Sequence, residues 1–262
     1  MGISVEAKKE LVEVMERAQR ARQVVDAPSG KYPGLTLEDA YDVHFSLIDR
    51  KVREGARVIG MKIGVPGAAF AKAFPEAPAV FGHVLSTGVG LGDPVIPISE
   101  LVAPRVEPEV TFFLDEELRG PNVTVAMVLA ATKGVVASFE ICDTRIRDWK
   151  FELRDIPADY SFHAGAVLGT TLHPVQGMDF RAMGAVMELN GKVVEMGVGA
   201  KLLGHPAQTV AWLANTLARY GKSIPKGSFI LSGSFTTPTP AKKGDVFKAT
   251  FSQIGEVTVS FA

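Results

Sequence analysis

The sequence predicts an α+β fold in which a helical N-terminal part precedes a β-rich body. Apolar residues recur at helical spacing near the N-terminus, and short β-type runs separated by glycine and proline follow them. Strands and helices do not alternate regularly along the chain, which argues against a doubly wound parallel sheet. We therefore expect a helical part over residues 1–56 and a β-rich body over residues 57–262.

Two helices are predicted in the N-terminal part. Ser4 is a suitable N-cap for the first helix, whose apolar stripe is formed by Leu11, Val14, Met15, Ala18, Ala21 and Val25. After a loop, Thr36 and Asp39 resemble a capping box with aspartate in place of glutamate. The second helix should run from there to about Gly55, so the two helices form a hairpin.

The body is predicted from nine β-type runs, which are RVIGMKIGV, DPVIPI, RVEPEVTFFL, GVVASFEIC, GAVMEL, KVVEM, SFILSG, DVFKATF and EVTVSFA. Asn190-Gly191 joins two of these runs and predicts a β-hairpin, because both residues tolerate the positive φ of a type I′ turn. Helices are expected over Val123–Thr132 and from Pro206 to Gly221, since proline suits the first helical position.

Composition excludes several classes of function. The 28 Lys and Arg residues nearly balance 29 Asp and Glu residues, and a net charge of -1 gives no field that would attract nucleic acid or an anionic membrane. No apolar run has the length of a membrane span, and the N-terminus has no apolar region of the kind found in a secretory signal. The single cysteine, Cys142, excludes a disulfide framework and a cysteine-rich zinc site. We expect a cytoplasmic protein whose partners are small molecules or copies of itself.

The run RVEPEV places two carboxylates side by side. Glu107 and Glu109 lie two residues apart on a predicted strand, so they share one face at roughly 6–7 Å. Like charges at this distance repel each other, and either water or a cation must screen them. The strand could be an exposed edge, which would suit Pro108 because proline cannot donate to a ladder.

A third carboxylate, Glu140, lies in an apolar run. Alternation in GVVASFEIC places Val136, Ser138, Glu140 and Cys142 on one face. A buried carboxylate needs a cation, a proton or a place in a site. If the two strands approach each other, Glu107, Glu109 and Glu140 form an oxygen-rich site suited to Mg²⁺ or Mn²⁺, whereas no cysteine or histidine spacing argues for zinc.

Lys62 emerges from another apolar run, RVIGMKIG. Its ammonium group could reach water past the apolar surface. It could equally be a site residue that holds a substrate carboxylate or exchanges a proton at a pKa lowered by burial. The histidines show no metal-ligand spacing, although His83 and His163 could reach a pocket. His205 either fixes the start of the helix at Pro206 or belongs to a site.

Five motifs, in order, resemble the 2-keto-4-pentenoate hydratase and 4-oxalocrotonate decarboxylase family of the fumarylacetoacetate hydrolase superfamily. They are GMKIGV, PRVEPEVTFFL, FEICDTRIRDWKF, LGHPAQTVAWLANTLA and GSFTTPTPAKKGD. The resemblance implies a mixed β-roll or barrel body with a helical N-terminal part. It also implies Mg²⁺ held by the glutamates matching Glu107, Glu109 and Glu140, with the lysine matching Lys62 in the pocket.

The chain departs from this family at informative positions. Hydratases of the family carry P-D-F-G, whereas this chain reads PAVFG with Val80 at the aspartate position, as in the decarboxylases. GSFT at 233–236 looks more like hydratases of seven-carbon dicarboxylates, and ADYSFHAG replaces an Asn-rich ADNAS segment. The residues expected to bind substrate are Lys62, Val80, Arg105, His163 and Ser234.

The resemblance leads us to expect a Mg²⁺- or Mn²⁺-dependent decarboxylase, with Lys62 as a catalytic residue. Its substrate would be a 2-oxo-enedioate such as 4-oxalocrotonate, converted to a 2-hydroxy-dienoate and CO₂ in meta-cleavage catabolism of aromatic compounds. One alternative is a hydratase of a 2-hydroxy-dienoate of the 2-keto-4-pentenoate or 2-oxohept-4-ene-1,7-dioate type, in which His163 would have to move the proton. The others are an acylpyruvate hydrolase and a non-catalytic partner subunit. The family also implies a homo-oligomer, with a neighbouring pathway enzyme as a further partner.

Overall fold

The structure, a computed structural model, describes residues 2–65 and 78–262. Its N-terminal part contains the helices α1 (Val5–Ala21), α2 (Pro28–Lys31) and α3 (Leu37–Arg53). The Ser4 hydroxyl caps α1 by accepting a hydrogen bond from the Ala7 amide. Thr36 and Asp39 form both hydrogen bonds of a capping box at the start of α3. Both predicted helices and both predicted caps are therefore confirmed.

The described residues form two sheets, and the larger one contains eight strands and curls into a half-barrel. Its strands are β1 (Val58–Gly64), β2 (Val80–Leu85), β3 (Val89–Leu91), β5 (Arg105–Leu114), β6 (Thr132–Cys142), β7 (His163–Leu168), β10 (Phe229–Ser234) and β11 (Thr239–Pro240). The strand order is β2-β1-β10-β5-β6-β7-β3, and β11 pairs with β5. The β1–β10 and β3–β7 pairs are parallel, whereas β5 and β6 form a long antiparallel ladder.

The smaller sheet has five strands in the order β4-β13-β12-β8-β9. They are β4 (Val95–Ile96), β8 (Gly184–Leu189), β9 (Lys192–Val198), β12 (Val246–Phe251) and β13 (Gly255–Phe261). Asn190 and Gly191 connect β8 to β9 with φ values of 52° and 75°. The predicted hairpin and its turn chemistry are confirmed.

Within the described residues, three further α-helices connect the strands, namely α4 (Val125–Ala131), α5 (Asp155–Ala158) and α6 (Pro206–Ala218). The first and last of these confirm the two helices predicted in the body, within a few residues at each end. In α6, the side chain of His205 caps the helix, because its Nδ1 accepts the Ala207 amide at 2.9 Å. The helix-entry interpretation of His205 is therefore confirmed.

The two faces of the large sheet have different roles. On β6, Val135, Ala137, Phe139 and Ile141 lie in the main apolar core, which also takes in side chains of the small sheet and α6. The other face, which we call the inner face, carries Ser138 and Glu140 as well as apolar residues. Alternation along the strand therefore separates the packing residues from the polar ones.

The alternative interpretation, an edge strand at Pro108, is wrong. β5 is a central strand, with β10 on one side and β6 on the other. Glu109, next to the proline, is 0% exposed. The ladder between β5 and β10 shifts its register between Leu231 and Ser234, and the Pro108 carbonyl accepts the Phe235 amide at 3.0 Å beside this irregularity. Proline is tolerated where a ladder is locally irregular.

The N-terminal helices pack against the body. Leu11 and Met15 of α1 contribute with Val43 and Leu47 of α3 to an apolar cluster of their own. On α3, Tyr41 stacks on Phe81 of β2 with the ring centroids 4.4 Å apart. The Tyr41 hydroxyl also accepts the Phe81 amide at 3.0 Å. The observed α+β architecture confirms the predicted fold class, and the division into 1–56 and 57–262 stays a prediction. Within the described ranges, no helix combines the length and the apolar character needed to cross a membrane.

Candidate active site

The β5–β6 ladder brings the three predicted carboxylates to one face of the sheet. Its register pairs Glu107 with Glu140 and Glu109 with Ser138. Glu109 and Glu140 are both 0% exposed, and Glu107 is partly exposed. The sequence could not predict that β5 and β6 pair, and the structure shows that they are direct neighbours. The face that carries the carboxylates is therefore less open to water than the face of an edge strand would be.

Lys62 reaches the same place from β1. The β1–β10 and β10–β5 pairings place Lys62, Leu231 and Thr111 in register on the inner face. The side chain of Lys62 does not extend to water, because the residue is only 3% exposed. Its Nζ lies 3.2 Å from Oε1 of Glu140, which makes a buried ion pair.

His163, at the start of β7, makes the second contact to Glu140. Its Nδ1 donates a hydrogen bond to Glu140 Oε1 over 2.8 Å, and its side chain is 6% exposed. Glu140 Oε1 therefore receives both Lys62 and His163. The other oxygen, Oε2, is buried and has no hydrogen-bond partner among the residues that the structure describes.

Glu109 is held by a backbone amide. Its Oε2 accepts the Gly233 amide at 2.7 Å, and its Oε1 is buried without a partner in the described part of the chain. Gly233 has a φ of +107°, a conformation that side chains other than glycine's rarely adopt. The turn at the end of β10 therefore depends on glycine to aim its amide at the carboxylate.

Burial and mutual repulsion shift the ionisation of these groups. Burial, followed by the charge of Glu140, raises the pKa of Glu107 to about 7. Burial and the charges of Glu140 and Glu107 raise the pKa of Glu109 well above its ordinary value. Burial alone would raise the pKa of Glu140, but Lys62 and the hydrogen bond from His163 lower it.

The pKa of Lys62 is shifted in the direction opposite to the one that burial predicts. Burial alone would lower the pKa of this ammonium group, but nearby acidic groups, Glu140 foremost, raise it above its ordinary range. The lowered pKa considered from the sequence is therefore wrong. Lys62 is a fixed positive charge at neutral pH.

Cys142 lies beside the carboxylates. Its Sγ donates a hydrogen bond to Glu107 Oε2 over 3.4 Å, and burial together with the charges of Glu107 and Glu140 raises the pKa of the thiol. Glu107, Glu140 and Cys142 each offer a ligand atom, and these atoms lie within 4.8 Å of one another. Glu109 shares the face but is not part of this tighter group.

These groups fit a hard divalent cation. Two buried carboxylate oxygens, Glu109 Oε1 and Glu140 Oε2, have no hydrogen-bond partner among the described residues. Burial and then mutual repulsion raise the pKa values of Glu107 and Glu109, and a cation would counteract both effects. Carboxylate oxygens are the ligands that Mg²⁺ and Mn²⁺ prefer.

Val80 borders the ammonium group of Lys62. A Cβ added at Gly64 would lie 3.1 Å from Val80 Cγ2 and 3.7 Å from Lys62 Nζ, so both side chains converge over this glycine. Val80 is 1% exposed and belongs to an apolar cluster that includes Phe162. The wall of the site beside Lys62 is therefore apolar at this position.

The sequence predicts Arg105 and Ser234 as substrate-binding residues. Arg105 is the first residue of β5, and Ser234 is the last residue of β10. Arg105 is on the face of Glu107, and its guanidinium carbon lies 4.2 Å from the centroid of the Trp149 ring. Ser234 pairs with Glu109 across the β5–β10 ladder. The structure brings both residues to the border of the carboxylate cluster, and their roles stay predictions.

Two histidines meet in a way that the sequence does not predict. His44 Nε2 and His83 Nδ1 are 3.0 Å apart, and His44 is 0% exposed. His83 and His163, which the sequence allowed to reach a pocket, both line a cavity of about 130 Å³. Sequence reasoning also missed the Gly233 amide and the thiol of Cys142. The signal for Cys142 was its position two residues after Glu140, on the same face of a strand.

Comparisons with known proteins find relatives along nearly the whole chain. The model of the fumarylacetoacetate (FAA) hydrolase C-terminal family matches residues 57–262. The chain is 36% identical to a 4-oxalocrotonate decarboxylase of Pseudomonas sp. (strain CF600) over 252 residues, which cover 96% of this chain and 95% of that protein. It is 35% identical to a 2-oxo-hept-4-ene-1,7-dioate hydratase of Escherichia coli over 253 residues, covering 94% and 95% of the two chains.

A solved structure gives the same picture. The 4-oxalocrotonate decarboxylase from Pseudomonas putida G7, complexed with magnesium and adipate, superposes with a TM-score of 0.94 at 31% identity and covers 99% of each chain. The same decarboxylase has also been solved with calcium and acetate, with a TM-score of 0.93 at 30% identity and the same coverage. The half-barrel body and helical N-terminal part are thus shared, and the similar relatives include decarboxylases and hydratases alike.

Proposed function

The chain belongs to the fumarylacetoacetate (FAA) hydrolase C-terminal family, and from that premise we propose that it is a metal-dependent decarboxylase of a 2-oxo-enedioate. The substrate would be of the 4-oxalocrotonate type, and the products a 2-hydroxy-dienoate and CO₂. The observation that carries this proposal is the apolar Val80 beside the ammonium group of Lys62, at the rim of a buried carboxylate cluster.

Glu107, Glu109 and Glu140 would hold Mg²⁺ or Mn²⁺. Their buried oxygens, two of which have no hydrogen-bond partner in the described ranges, support this assignment. Relatives in the same fold support it too, since the decarboxylase of P. putida G7 has been solved with magnesium. When bound, the cation polarises the C2 carbonyl of a chelating 2-oxo acid and stabilises the negative charge that develops on its oxygen.

Lys62 would act as a fixed charge. Its pKa is raised, so it keeps its proton and pairs with a substrate carboxylate or with the oxyanion that develops. Its ion pair with Glu140 also holds that carboxylate in place, as does the hydrogen bond from His163. Both residues therefore position one of the proposed metal ligands.

Val80 would favour loss of CO₂. A carboxylate that rests against an apolar wall is poorly solvated, which destabilises the anion relative to the neutral product that leaves. An acidic residue at this position would instead supply a group for proton transfer, as hydration of a double bond needs. The methyl groups of Val80 can neither give nor accept a proton.

The alternative function is hydration of a 2-hydroxy-dienoate. Relatives at similar identity carry this name, among them the 2-hydroxyhexa-2,4-dienoate hydratase of Comamonas testosteroni at 34%. In this chain His163 would have to move the proton. Its Nε2 is buried and lacks a partner among the described residues, so it is available to an incoming water molecule.

The deciding experiment offers both substrates to the purified enzyme with Mg²⁺. We expect CO₂ release from 4-oxalocrotonate, whereas addition of water to a 2-hydroxy-dienoate without CO₂ release contradicts the proposal.

Titration of Glu107→Gln with Mg²⁺ tests the metal site separately. Retention of wild-type affinity by this variant means that the assignment of the cation is wrong.

The remaining parts of the function are also proposals. The intact carboxylate set argues against a non-catalytic subunit, and the acylpyruvate hydrolase alternative has only the fold in its favour, because a fumarylpyruvate hydrolase from Pseudomonas aeruginosa superposes at 16% identity. A role in meta-cleavage catabolism and assembly into a homo-oligomer or with a neighbouring pathway enzyme stay predictions from the family.

A further inference from the structure

Cys142 is the one residue of the cluster that a magnesium site does not use. It follows Glu140 by two residues on β6, shares its face and is 5% exposed. Its Sγ lies 3.4 Å from Glu107 Oε2. Ligand atoms of Glu107, Glu140 and Cys142 lie within 4.8 Å of one another, so the thiol is inside the group and not merely near it.

A second observation, independent of the thiol, indicates a ligand at this place. Glu140 is 0% exposed, yet its Oε2 has no hydrogen-bond partner in the described part of the chain. A buried carboxylate oxygen without a partner is costly, and a cation is one way to satisfy it. Glu140 also supplies one of the three clustered ligand atoms.

The spacing suits a metal that accepts sulfur. Zinc binds sulfur at about 2.3 Å and oxygen at about 2.0–2.2 Å, so neighbouring sulfur and oxygen ligands of a tetrahedral site lie about 3.5–3.7 Å apart. The distance of 3.4 Å between Cys142 Sγ and Glu107 Oε2 is close to this range. Mg²⁺, by contrast, is a hard cation that leaves a thiol uncoordinated.

We propose that Cys142, with Glu107 and Glu140, binds soft or borderline divalent cations such as Zn²⁺, Co²⁺ and Cd²⁺ at this centre. The proposal rests on the proposed function for the position of the centre. As the metal–sulfur bond forms, the S–H bond breaks and its proton passes to solvent, with no change of oxidation state. Because these cations gain a thiolate ligand, they compete with Mg²⁺ for the same carboxylates.

The test uses Co²⁺ as an optical probe on the whole protein. Cys142 is the single cysteine of the chain, so a thiolate-to-cobalt charge-transfer band reports this residue alone. We expect wild type to develop the band with one Co²⁺ per chain and Cys142→Ala to develop none. Cd²⁺ should protect the wild-type thiol from a thiol reagent, whereas Mg²⁺ should not.

Mn²⁺ binding, followed by electron paramagnetic resonance, is the parallel measurement. We expect Cys142→Ala to keep its Mn²⁺ affinity, which also shows that the variant is folded, and to lose at least about tenfold in Cd²⁺ affinity. Mn²⁺ binding without a thiolate band in wild type overturns the role of Cys142 and leaves the proposed function standing. Failure of wild type to bind either Mn²⁺ or Co²⁺ overturns the metal centre itself. If the thiol only donates a hydrogen bond to Glu107, wild type binds Mn²⁺ and develops no thiolate band.

Discussion

Lys62 Nζ lies 3.2 Å from Glu140 Oε1, and the two side chains are 4% and 0% exposed. Each charge stabilises the other inside the protein, which lowers the pKa of Glu140 and raises that of Lys62. The pair therefore provides a permanent cation next to three carboxylates. In the proposed function, Lys62 would therefore act as an electrostatic partner of the substrate and not as a base.

Replacement of Lys62 by methionine should abolish most of the activity. The change keeps the length of the side chain but removes the charge that faces the substrate, and loss of one such group lowers kcat by about 10²–10³-fold. Glu140 also loses a buried partner, which should cost about 3–5 kcal/mol in the free energy of unfolding. Steady-state kinetics and urea unfolding measure the two effects.

The matched control for this change is Lys133→Met, at an exposed lysine of β6. It should leave the kinetics and the free energy of unfolding close to wild type. If Lys62→Met turns over as fast as Lys133→Met, the proposed role of Lys62 is wrong.

Magnesium should stabilise the wild-type fold against heat and urea. A cation that binds only the folded protein adds about 2.7 kcal/mol to the free energy of unfolding at 100 times its Kd. Glu109→Gln keeps the shape of the side chain and an oxygen for the Gly233 amide, but removes one proposed ligand. In this variant we expect most of the Mg²⁺-dependent gain to disappear, as measured by urea unfolding with Mg²⁺ and with EDTA. An unchanged gain would show that Glu109 is not a ligand.

Local patterns in the sequence predicted much of the fold. Alternation identified the face shared by Glu107 and Glu109, and capping residues located the starts of α1 and α3. What alternation cannot provide is the partner of each strand, because pairing depends on contacts between distant parts of the chain. For this reason the sequence could predict that Glu107 and Glu140 share a site only if their strands were neighbours, which the structure shows. The sequence also left open an edge strand at Pro108, which the pairing of β10 with β5 excludes.

The electrostatics of the site were less predictable for the same reason. Burial of Lys62 suggested a lowered pKa, but the carboxylate that reverses the shift comes from a different strand, 78 residues later. His163 contacts Glu140 because β6 and β7 pair, and no local sequence pattern predicts this pairing. Spacing predicted that Cys142 shares a face with Glu140, but it could not predict that the thiol lies close to Glu107.

Stability should fall as the pH drops from about 6.5 towards 4, because of the contact between buried His44 and partly buried His83. Burial, followed by the charge of Lys222, lowers the pKa of His83 to about 4, and burial followed by the charge of His83 lowers the pKa of His44 well below its ordinary value. Because the folded-state pKa values are lowered, the unfolded chain takes up protons first. The stabilising contribution is therefore complete above about pH 6.5 and is lost through this window.

The magnitude follows from the shift of His83 from 6.5 to about 4. At about 1.36 kcal/mol for each pKa unit, this difference corresponds to at most about 3.4 kcal/mol in the free energy of unfolding. Urea unfolding at pH 7.5 and pH 5 measures the loss, which should be smaller in His83→Gln. His173→Gln, outside this pair, serves as the control and should keep the wild-type dependence. An equal loss in all three proteins would assign the effect to other groups.

Val80→Asp tests whether the apolar wall decides the reaction. The new carboxylate would lie next to Lys62, as the convergence of Val80 and Lys62 over Gly64 indicates, and would compete with the substrate carboxylate for the ammonium group. It would also draw water to a position that is now 1% exposed. We expect CO₂ release from 4-oxalocrotonate to slow by at least about tenfold, which is about 1.4 kcal/mol in activation free energy.

Val80→Thr, of nearly the same shape but uncharged, should slow CO₂ release less than Val80→Asp, which separates the effect of charge from that of packing. Decarboxylation at the wild-type rate in Val80→Asp would show that the apolar wall has no part in the choice of reaction.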